Sequence, residues 1–248
     1  RRIEALKIEV ASEDVGAFGE LRTLEEVLDC HNPYDAFALH KAALIACGVV
    51  PFENDGSVTL EEILRRLGGG LFVSTQVIGI PKGSGLGTSS ILAGACVKAI
   101  FEIMGEHISE EQLYEIVLCM EQIMSTGGGW QDQVGGLVPG IKYITTTPGT
   151  VQQIRVQQIR VPERAAKELQ ERFALIYTGQ RRLARNLLRD VVGGYVGRRE
   201  ETVDALFRMQ RVAALMRFEL EKGNVEELAE LFNLHWELSK QLDAGSSN

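Results

Sequence analysis

A glycine-rich string with hydroxyl side chains is the part of this sequence best suited to chemistry. It runs from residue 81 to 94 and reads Pro-Lys-Gly-Ser-Gly-Leu-Gly-Thr-Ser-Ser-Ile-Leu-Ala-Gly. Its first three glycines recur at every second position, so the backbone can adopt positive φ angles and approach a ligand closely. Apolar residues with helical spacing follow, which predicts that the string opens a helix. Because unpaired N–H groups and the positive end of the dipole meet at a helix N-terminus, we expect this loop to hold phosphate groups.

The spacing of this string separates it from two common nucleotide-binding motifs. The Walker A motif ends in Gly-Lys-Ser or Gly-Lys-Thr, whereas the lysine of this string, Lys82, precedes the glycines. The dinucleotide fingerprint requires Gly or Ala at the position of Thr88. The string instead resembles the second motif of the GHMP small-molecule kinases, Pro-x-x-x-Gly-Leu-Gly-Ser-Ser, with Thr88 in place of the first serine. A turn followed by an ordinary helix cap is the alternative interpretation.

A second glycine-rich string, residues 125–136, carries polar side chains that suit a sugar. It reads Ser-Thr-Gly-Gly-Gly-Trp-Gln-Asp-Gln-Val-Gly-Gly, and so many glycines disfavour a regular helix or strand. Trp130 supplies an aromatic face and Asp132 a carboxylate, while Gln131 and Gln133 add amides that can address hydroxyl groups. Such a loop suits a polyol ligand. The alternative is a tight turn with a surface tryptophan.

Glu121 is the third candidate, and its position on a predicted helix decides how far it is covered. Ser109 and Gln112 form a capping box that opens this helix. The apolar residues that follow share one face, and Glu121 lies at the margin of that face, so we expect partial burial. Taken alone, a glutamate in such a position is more often solvated or salt-bridged than functional.

The remaining pattern predicts the elements that position these residues. We expect a strand over residues 3–10, a helix over 32–47, and a buried strand over 71–78 that leads into the first glycine-rich string. Farther along, the apolar residues 173–177 predict a compact buried strand. The last third of the chain has helical periodicity.

Composition is that of a soluble globular protein: the 248 residues are 45% hydrophobic and 24% charged. The net charge of −8 is spread along the chain, which argues against nucleic-acid and anionic-membrane partners. No apolar run is long enough for a transmembrane helix.

The four cysteines have no Cys-x-x-Cys spacing, which predicts buried free thiols. We therefore expect a reducing compartment, the cytoplasm. They are Cys30, Cys47, Cys96 and Cys119.

Residues 177–188 form a third string, which reads Tyr-Thr-Gly-Gln-Arg-Arg-Leu-Ala-Arg-Asn-Leu-Leu. Together with residues 83–94 and 128–136, it resembles the L-fucokinase branch of the GHMP kinases, which includes the kinase half of bifunctional fucokinase/GDP-fucose pyrophosphorylases. The resemblance covers nearly the whole chain and implies an α+β, two-domain GHMP kinase fold. The N-terminal domain, like ribosomal protein S5 domain 2, is expected at residues 1–170, and an incomplete ferredoxin-like C-terminal domain at residues 171–248.

The resemblance also predicts that this sequence is part of a longer kinase. The family's first motif is expected before Arg1 and its third glycine-rich motif after Asn248, and neither occurs within the sequence. We therefore expect a truncated C-terminal domain and, in the full-length chain, an additional nucleotidyltransferase domain.

The resemblance implies ATP and Mg²⁺ as cofactors and assigns roles to individual residues. Ser89 and Glu121 are implied to hold Mg²⁺, and Asp132 is implied to approach the anomeric hydroxyl of the sugar, either as a base or as an orienting group. The implied ATP-phosphate contacts are Lys82, Gly83, Ser84, Gly85, Leu86, Gly87, Thr88, Ser89 and Ser90. The implied substrate contacts are Gly128, Gly129, Trp130, Gln131, Asp132, Tyr177 and Gly179.

These residues predict an ATP-dependent kinase that phosphorylates the anomeric hydroxyl of L-fucose to give fucose 1-phosphate. Phosphoryl transfer depends on alignment and charge stabilisation, so a phosphate cradle, Mg²⁺ and one positioned carboxylate suffice. A heptose-phosphate kinase is the nearest alternative, because that branch shares similar Gln-Asp-Gln and Tyr-Thr-Gly strings. Arg181, Arg182 and Arg185 would then hold the second phosphate. The other alternative is a sensor that binds ATP and sugar without turnover.

Overall fold

The structure, a computed structural model, describes residues 1–32, 34–80, 84–124, 129–149, 153–177 and 184–242. The chain divides into two compact units, Arg1–Val138 and Pro139–Asn248. Both units contain helices and strands, in agreement with the predicted α+β class.

A four-stranded mixed sheet lies in the first unit. Its central strands run parallel, with Val10 opposite Val73, and the outer pairs are antiparallel. The strands, in the spatial order β1-β4-β2-β3, are β1 (Arg2–Ile3), β2 (Ile8–Ser12), β3 (Ala17–Leu21) and β4 (Gly70–Thr75).

The described part of the first unit also forms six α-helices. They are α1 (Leu24–Leu28), α2 (Ala38–Ala46), α3 (Leu60–Arg66), α4 (Thr88–Met104), α5 (Glu110–Ile123) and α6 (Gln131–Leu137). The capping box predicted at the start of α5 is formed, and Thr59 and Glu62 form another at the start of α3. Helices α2, α4 and α5 share one apolar core, in which Leu44, Val97 and Val117 are completely buried. Each such side chain contributes about 1.5–3 kcal/mol, so the core holds α4 and α5, which carry candidate site residues at their ends.

The strand predicted over residues 3–10 is interrupted by a bend and forms two strands. The Lys7 N–H donates to the Ala5 carbonyl over 2.8 Å and closes a tight turn. Gly70 faces this turn, where a Cβ would overlap the carbonyl oxygens of Ala5 and Lys7. A glycine at this position therefore permits the bend.

The helix predicted over residues 32–47 begins later, at Ala38. Oδ1 of Asp35 accepts a hydrogen bond from the Phe37 N–H at 2.8 Å. This local bond holds a turn where the first helical turn was predicted, because a short acidic side chain competes with the helix for backbone donors.

The second unit combines a hairpin with a helix pair. Its elements are β5 (Lys142–Thr146), β6 (Ile154–Gln158), α7 (Glu163–Arg172), α8 (Ala184–Val196), α9 (Glu200–Lys222) and α10 (Val225–Leu242). Strands β5 and β6 are antiparallel, with Ile144 opposite Val156. The buried contact between α9 and α10 is made by Ala205, Val212, Leu231 and Leu238. None of the described helices has the length and apolar composition needed to cross a membrane.

The prediction of a buried strand over residues 173–177 is wrong. These residues have no regular structure, and Ile176 is 81% and Tyr177 49% exposed. A strand requires a neighbour that satisfies its backbone hydrogen bonds. Among the described residues, β5 and β6 pair only with each other. The apolar composition thus predicted a strand for which the described residues supply no partner.

The boundary between the two units lies earlier in the chain than the domain boundary predicted near residue 170. The hairpin belongs to the second unit, where β5 packs against α9. One contact in that packing is the guanidinium carbon of Arg217, which lies 5.3 Å from the ring centroid of Tyr143. Residues 139–170 therefore pack with the later part of the chain.

All four cysteines are free thiols, and three of them are buried as predicted. Burial raises the pKa of Cys47 to about 12 and that of Cys96 to about 11, and it also raises the pKa of Cys30. Cys119 differs from the prediction, because it lies on an exposed face of α5.

Candidate active site

The first glycine-rich string opens α4, as its sequence predicts. Gly87 is the N-cap residue, with a φ of +64°, and Gly85 before it has a φ of +77°. Both angles lie in the left-handed region, which favours glycine. No described side chain caps this helix, so the N–H groups of its first turn are available to a ligand. An anion bound here would also interact with the positive end of the helix dipole.

Ser84 adds an unpaired polar group to the same loop. Its Oγ is buried and has no hydrogen-bond partner among the described residues. Buried hydroxyl groups are normally paired, so a free one beside a helix N-terminus suits a phosphate oxygen. Lys82 and Gly83, which were also predicted to contact phosphate, lie outside the described residues.

Glu121 lies in the last turn of α5 and reaches the first turn of α4. Its Oε1 accepts a hydrogen bond from Oγ of Ser90 over 2.6 Å. Ser90 is buried, with 3% exposure, whereas its neighbour Ser89 is exposed. The structure therefore brings the predicted metal-binding glutamate together with Ser90. The sequence contained a signal for this contact, since Ser90, Gly94 and Val97 have helical spacing and define the inward face of α4.

The charge on Glu121 is poorly solvated. Burial is the largest effect and raises its pKa, and the negative charge of Asp132 raises it further. The hydrogen bond from Ser90 and the nearby amide of Gln133 act in the opposite direction and lower the pKa. A half-buried carboxylate close to a second carboxylate is a suitable ligand for a cation, which relieves both effects.

Asp132 is placed beside the phosphate loop by helix α6. A Cβ built on Gly87 would lie 3.8 Å from Oδ1 of Asp132, so this carboxylate faces the N-cap of α4. Two glycines allow α4 and α6 to pack this closely. A Cβ on Gly94 would overlap the Leu137 side chain, and one on Gly136 would lie 2.8 Å from Cγ1 of Ile91.

The second glycine-rich string is thus partly helical, and the prediction of an irregular loop is wrong for residues 131–136. Its last two glycines lie within α6, and Gly136 serves close helix packing. Gly129, Gln131 and Asp132 are exposed and Trp130 is half-buried. Gln133 is completely buried, so its amide does not face solvent as a sugar contact would.

Two of the predicted substrate residues, Gly128 and Gly179, lie outside the described residues, as do Arg181 and Arg182. Tyr177 is exposed in the second unit. The first unit thus brings together the loop from Ser84 to Ser90, Glu121 and Asp132.

The donor set of this cluster suits Mg²⁺ held together with a nucleotide. Among the described residues, no group of three or more His, Cys, Asp or Glu side chains could hold a metal ion. Mg²⁺ commonly takes only one or two protein carboxylates and completes its shell with substrate phosphates and water. One half-buried carboxylate, a second carboxylate and adjacent hydroxyl groups fit that pattern.

Comparison with protein families matches residues 57–140 to the GHMP kinases N terminal domain. This range contains the phosphate loop, Glu121 and Asp132. Over these residues, the resemblance to the GHMP kinases that the sequence predicted is confirmed.

Two curated relatives that match most of this chain are much longer proteins. The bifunctional fucokinase/GDP-fucose pyrophosphorylase of Arabidopsis thaliana is 36% identical over 91% of this chain and 20% of its own length. The L-fucokinase/L-fucose-1-P guanylyltransferase of Bacteroides fragilis is 34% identical over 97% of this chain and 25% of its own length. The D-glycero-alpha-D-manno-heptose 7-phosphate kinase of Campylobacter jejuni is 25% identical over 68% of this chain and 49% of its own length. The chain thus spans 20–25% of the two fucokinase relatives.

Solved structures with the same fold include two mevalonate kinases. That of Methanococcus jannaschii has a TM-score of 0.61 at 14% identity, over 98% of this chain and 68% of its own. Another mevalonate kinase has a TM-score of 0.62 at 15% identity, with the same coverage. These similarities confirm the predicted α+β GHMP kinase fold.

Proposed function

We propose that this chain, which carries a GHMP kinase N-terminal domain, is the kinase part of an ATP-dependent enzyme that phosphorylates the anomeric hydroxyl of L-fucose to give fucose 1-phosphate. The observation that carries the proposal is the convergence of Glu121 and Asp132 on the N-terminus of α4. The identities of 36% and 34% to the two fucokinase relatives support L-fucose as the sugar.

ATP phosphates bind at the N-terminus of α4 in this proposal. The first-turn N–H groups and the helix dipole supply the attraction, and the unpaired hydroxyl of Ser84 supplies a further hydrogen bond. The glycines of the loop leave room for the phosphates to approach the backbone. Lys82 and Gly83 complete the cradle by resemblance to the family.

Ser89 and Glu121 hold Mg²⁺ next to these phosphates. When bound, Mg²⁺ neutralises charge that develops on the transferring phosphoryl group. Glu121 is suited to this role because a cation offsets the unfavourable burial of its charge. Ser90 holds one oxygen of the carboxylate and so limits its rotation.

Asp132 accepts or orients the proton of the anomeric hydroxyl. Its carboxylate is exposed and faces Gly87, so a hydroxyl group in contact with it would also lie close to phosphates bound at α4. This proximity is what phosphoryl transfer requires, because alignment of the acceptor accounts for much of the rate.

The sugar contacts in this proposal surround Asp132. Trp130 stacks on the apolar face and the C6 methyl group of the deoxy sugar, and Gln131 addresses hydroxyl groups. Gly128 and Gly129 belong to this set by resemblance to the family, and the resemblance also assigns Tyr177 and Gly179 to the substrate.

The full-length protein combines this kinase with a nucleotidyltransferase domain, as the names of both fucokinase relatives suggest. Its partners are ATP and a sugar. Three buried free thiols suit a reducing compartment, and on that basis we place the enzyme in the cytoplasm.

A sugar panel tests the proposed function on the full-length protein. ADP release is measured with ATP, Mg²⁺ and one of L-fucose, D-arabinose, L-galactose, D-mannose or a heptose 7-phosphate. L-Fucose should give the highest kcat/KM, and NMR of the product should place the phosphate on the anomeric carbon. Binding of ATP and sugar without ADP release would instead favour the sensor.

A heptose-phosphate kinase is the second candidate, because the Campylobacter jejuni relative is 25% identical over 68% of this chain. In that case the second phosphate binds Arg181, Arg182 and Arg185. The highest kcat/KM for the heptose 7-phosphate would favour this candidate over L-fucose.

A further inference from the structure

Gln133 is a buried amide on helix α6 whose two polar atoms lack well-formed hydrogen bonds. Its side chain has 0% exposure on α6, and neither Nε2 nor Oε1 makes a hydrogen bond of normal geometry with the described residues. Such unpaired groups are rare in folded proteins, because burial removes their hydrogen bonds to water. An apolar side chain of the same size would fill the space at no such cost. Packing alone therefore does not account for a glutamine at this position.

The Gln133 amide belongs to the same cluster as the two candidate carboxylates. It follows Asp132 in α6, which packs against α5, the helix that carries Glu121, and the amide lies within reach of that carboxyl group. Oε1 of Glu121 is already bonded to Ser90 at 2.6 Å. A second donor next to this carboxylate would fix its orientation.

We propose that Gln133 is a positioning residue that orients the Glu121 carboxylate toward the metal–nucleotide complex, and that the chain retains its unpaired amide for this purpose at the expense of stability. The inference rests on the proposed kinase function, since it requires Glu121 to face a cation. In the complex, the Nε2–H of Gln133 donates to Glu121 while Ser90 holds Oε1. Replacing a residue that hydrogen-bonds to a metal ligand commonly lowers the metal affinity by roughly 10–100-fold.

The test uses Gln133→Met in the full-length protein, because methionine preserves the volume and removes both polar atoms. In metal-free buffer, the Tm should rise by about 2 °C or more, since two unpaired buried atoms are removed. By calorimetry, the Kd for ADP with Mn²⁺ should rise about 10-fold. The Kd for ADP in EDTA should stay within about twofold of the wild-type value, because the phosphate loop is unchanged. A residue that only fills the core would leave the Mn²⁺-dependent Kd unchanged.

Gln122→Met is the matched control. Gln122 is exposed on α5, directly after Glu121, and undergoes the same chemical change. The Tm of this variant, and its Kd values for ADP with Mn²⁺ and for ADP in EDTA, should equal those of the wild type.

A double variant tests whether Gln133 acts through Glu121. In a Glu121→Gln background, Gln133→Met should have no further effect on the Kd for ADP with Mn²⁺, because the carboxylate that it orients is gone. Equal 10-fold effects in both backgrounds would overturn the proposal.

The outcomes for the wild type and the variant separate the two proposals. If the wild-type protein does not bind ADP with Mn²⁺, the kinase function fails and this inference fails with it. If the wild type binds and Gln133→Met binds equally well, only the role of Gln133 is refuted.

If Gln133→Met does not fold, NMR of the wild-type protein labelled with [¹⁵N]glutamine provides the test. The side-chain amide signals of Gln133 should shift on addition of ADP with Mg²⁺ and should not shift with ADP in EDTA. Unshifted signals with ADP and Mg²⁺ overturn the inference.

Discussion

Oγ of Ser90 donates a hydrogen bond to Oε1 of Glu121 over 2.6 Å, and this bond joins the first turn of α4 to the last turn of α5. It ties the candidate metal-binding carboxylate to the helix that presents the phosphate loop. Ser89, one residue earlier, is exposed. The two serines are therefore expected to contribute differently to stability and to metal binding.

Ser90→Ala should lower the free energy of unfolding of the metal-free protein by about 1–3 kcal/mol, because it removes a hydrogen bond from a half-buried carboxylate. Ser89→Ala should change the same quantity by less than about 0.5 kcal/mol, since its side chain is exposed. It should instead raise the Mg²⁺ concentration needed for half-maximal activity. Urea unfolding and Mg²⁺ titrations of both variants measure these effects. An equal loss of stability in the two variants would contradict the assigned roles.

Asp132→Asn should lower kcat by at least about 10²-fold, the usual scale for a positioned base, and leave ATP binding nearly unchanged. The amide preserves the shape but cannot accept the proton of the sugar hydroxyl. Steady-state kinetics and calorimetric titration with ATP provide the two measurements. Asp204→Asn, an exposed change in the second unit, is the control and should retain full activity. A variant at position 132 that keeps most of its kcat would rule out this role for Asp132.

Trp130→Ala should reduce kcat/KM for L-fucose more than for D-arabinose, which lacks the C6 methyl group. The wild-type protein should prefer L-fucose by roughly 10-fold, the usual value of one small apolar group. Removal of the aromatic face should reduce this preference toward unity. Kinetics with both sugars give the ratio directly, and an unchanged preference would show that Trp130 does not contact the methyl group.

Gly94→Ala should destabilise the protein by about 1–3 kcal/mol, because the new methyl group overlaps Leu137 where α4 meets α6. The displaced helix carries Asp132, so kcat should fall as well. Gly135→Ala is the matched control on α6: a Cβ there has nothing within 4 Å, and higher helix propensity should stabilise the protein by up to about 1 kcal/mol. Thermal unfolding of the two variants should shift in opposite directions.

Cys119 should react with iodoacetamide well before the other cysteines in the native protein. It is exposed, whereas burial protects Cys47 and Cys96 and raises their pKa values to about 12 and about 11. Because thiolate is the reactive form, a raised pKa means slower alkylation at pH 8. Mass spectrometry after timed alkylation identifies the modified residues. Unfolding in urea should remove the difference, and early modification of Cys47 would contradict the burial of that thiol.

Local sequence signals predicted the parts of the fold that depend on neighbouring residues. The capping box at Ser109 formed because it joins groups only three residues apart. The start of α4 after Gly87 followed in the same way from a glycine that tolerates a positive φ. The sequence by itself also indicated a GHMP kinase N-terminal domain, since the glycine-rich strings resemble those kinases and the family match covers residues 57–140.

Tertiary packing alone decided which of the candidate residues meet. Ser90 and Glu121 are 31 positions apart, and their contact depends on how α4 and α5 are rotated about their axes. The position of Gln133 also depends on tertiary packing. The sequence suggested that its amide contacts the sugar, whereas in the structure the side chain is buried. Residues 173–177 had the composition of a strand, but a strand forms only where a neighbour supplies hydrogen bonds. Composition and short-range spacing specify what each segment can form, whereas the rotation of helices and the pairing of strands depend on distant residues that bury their apolar faces together.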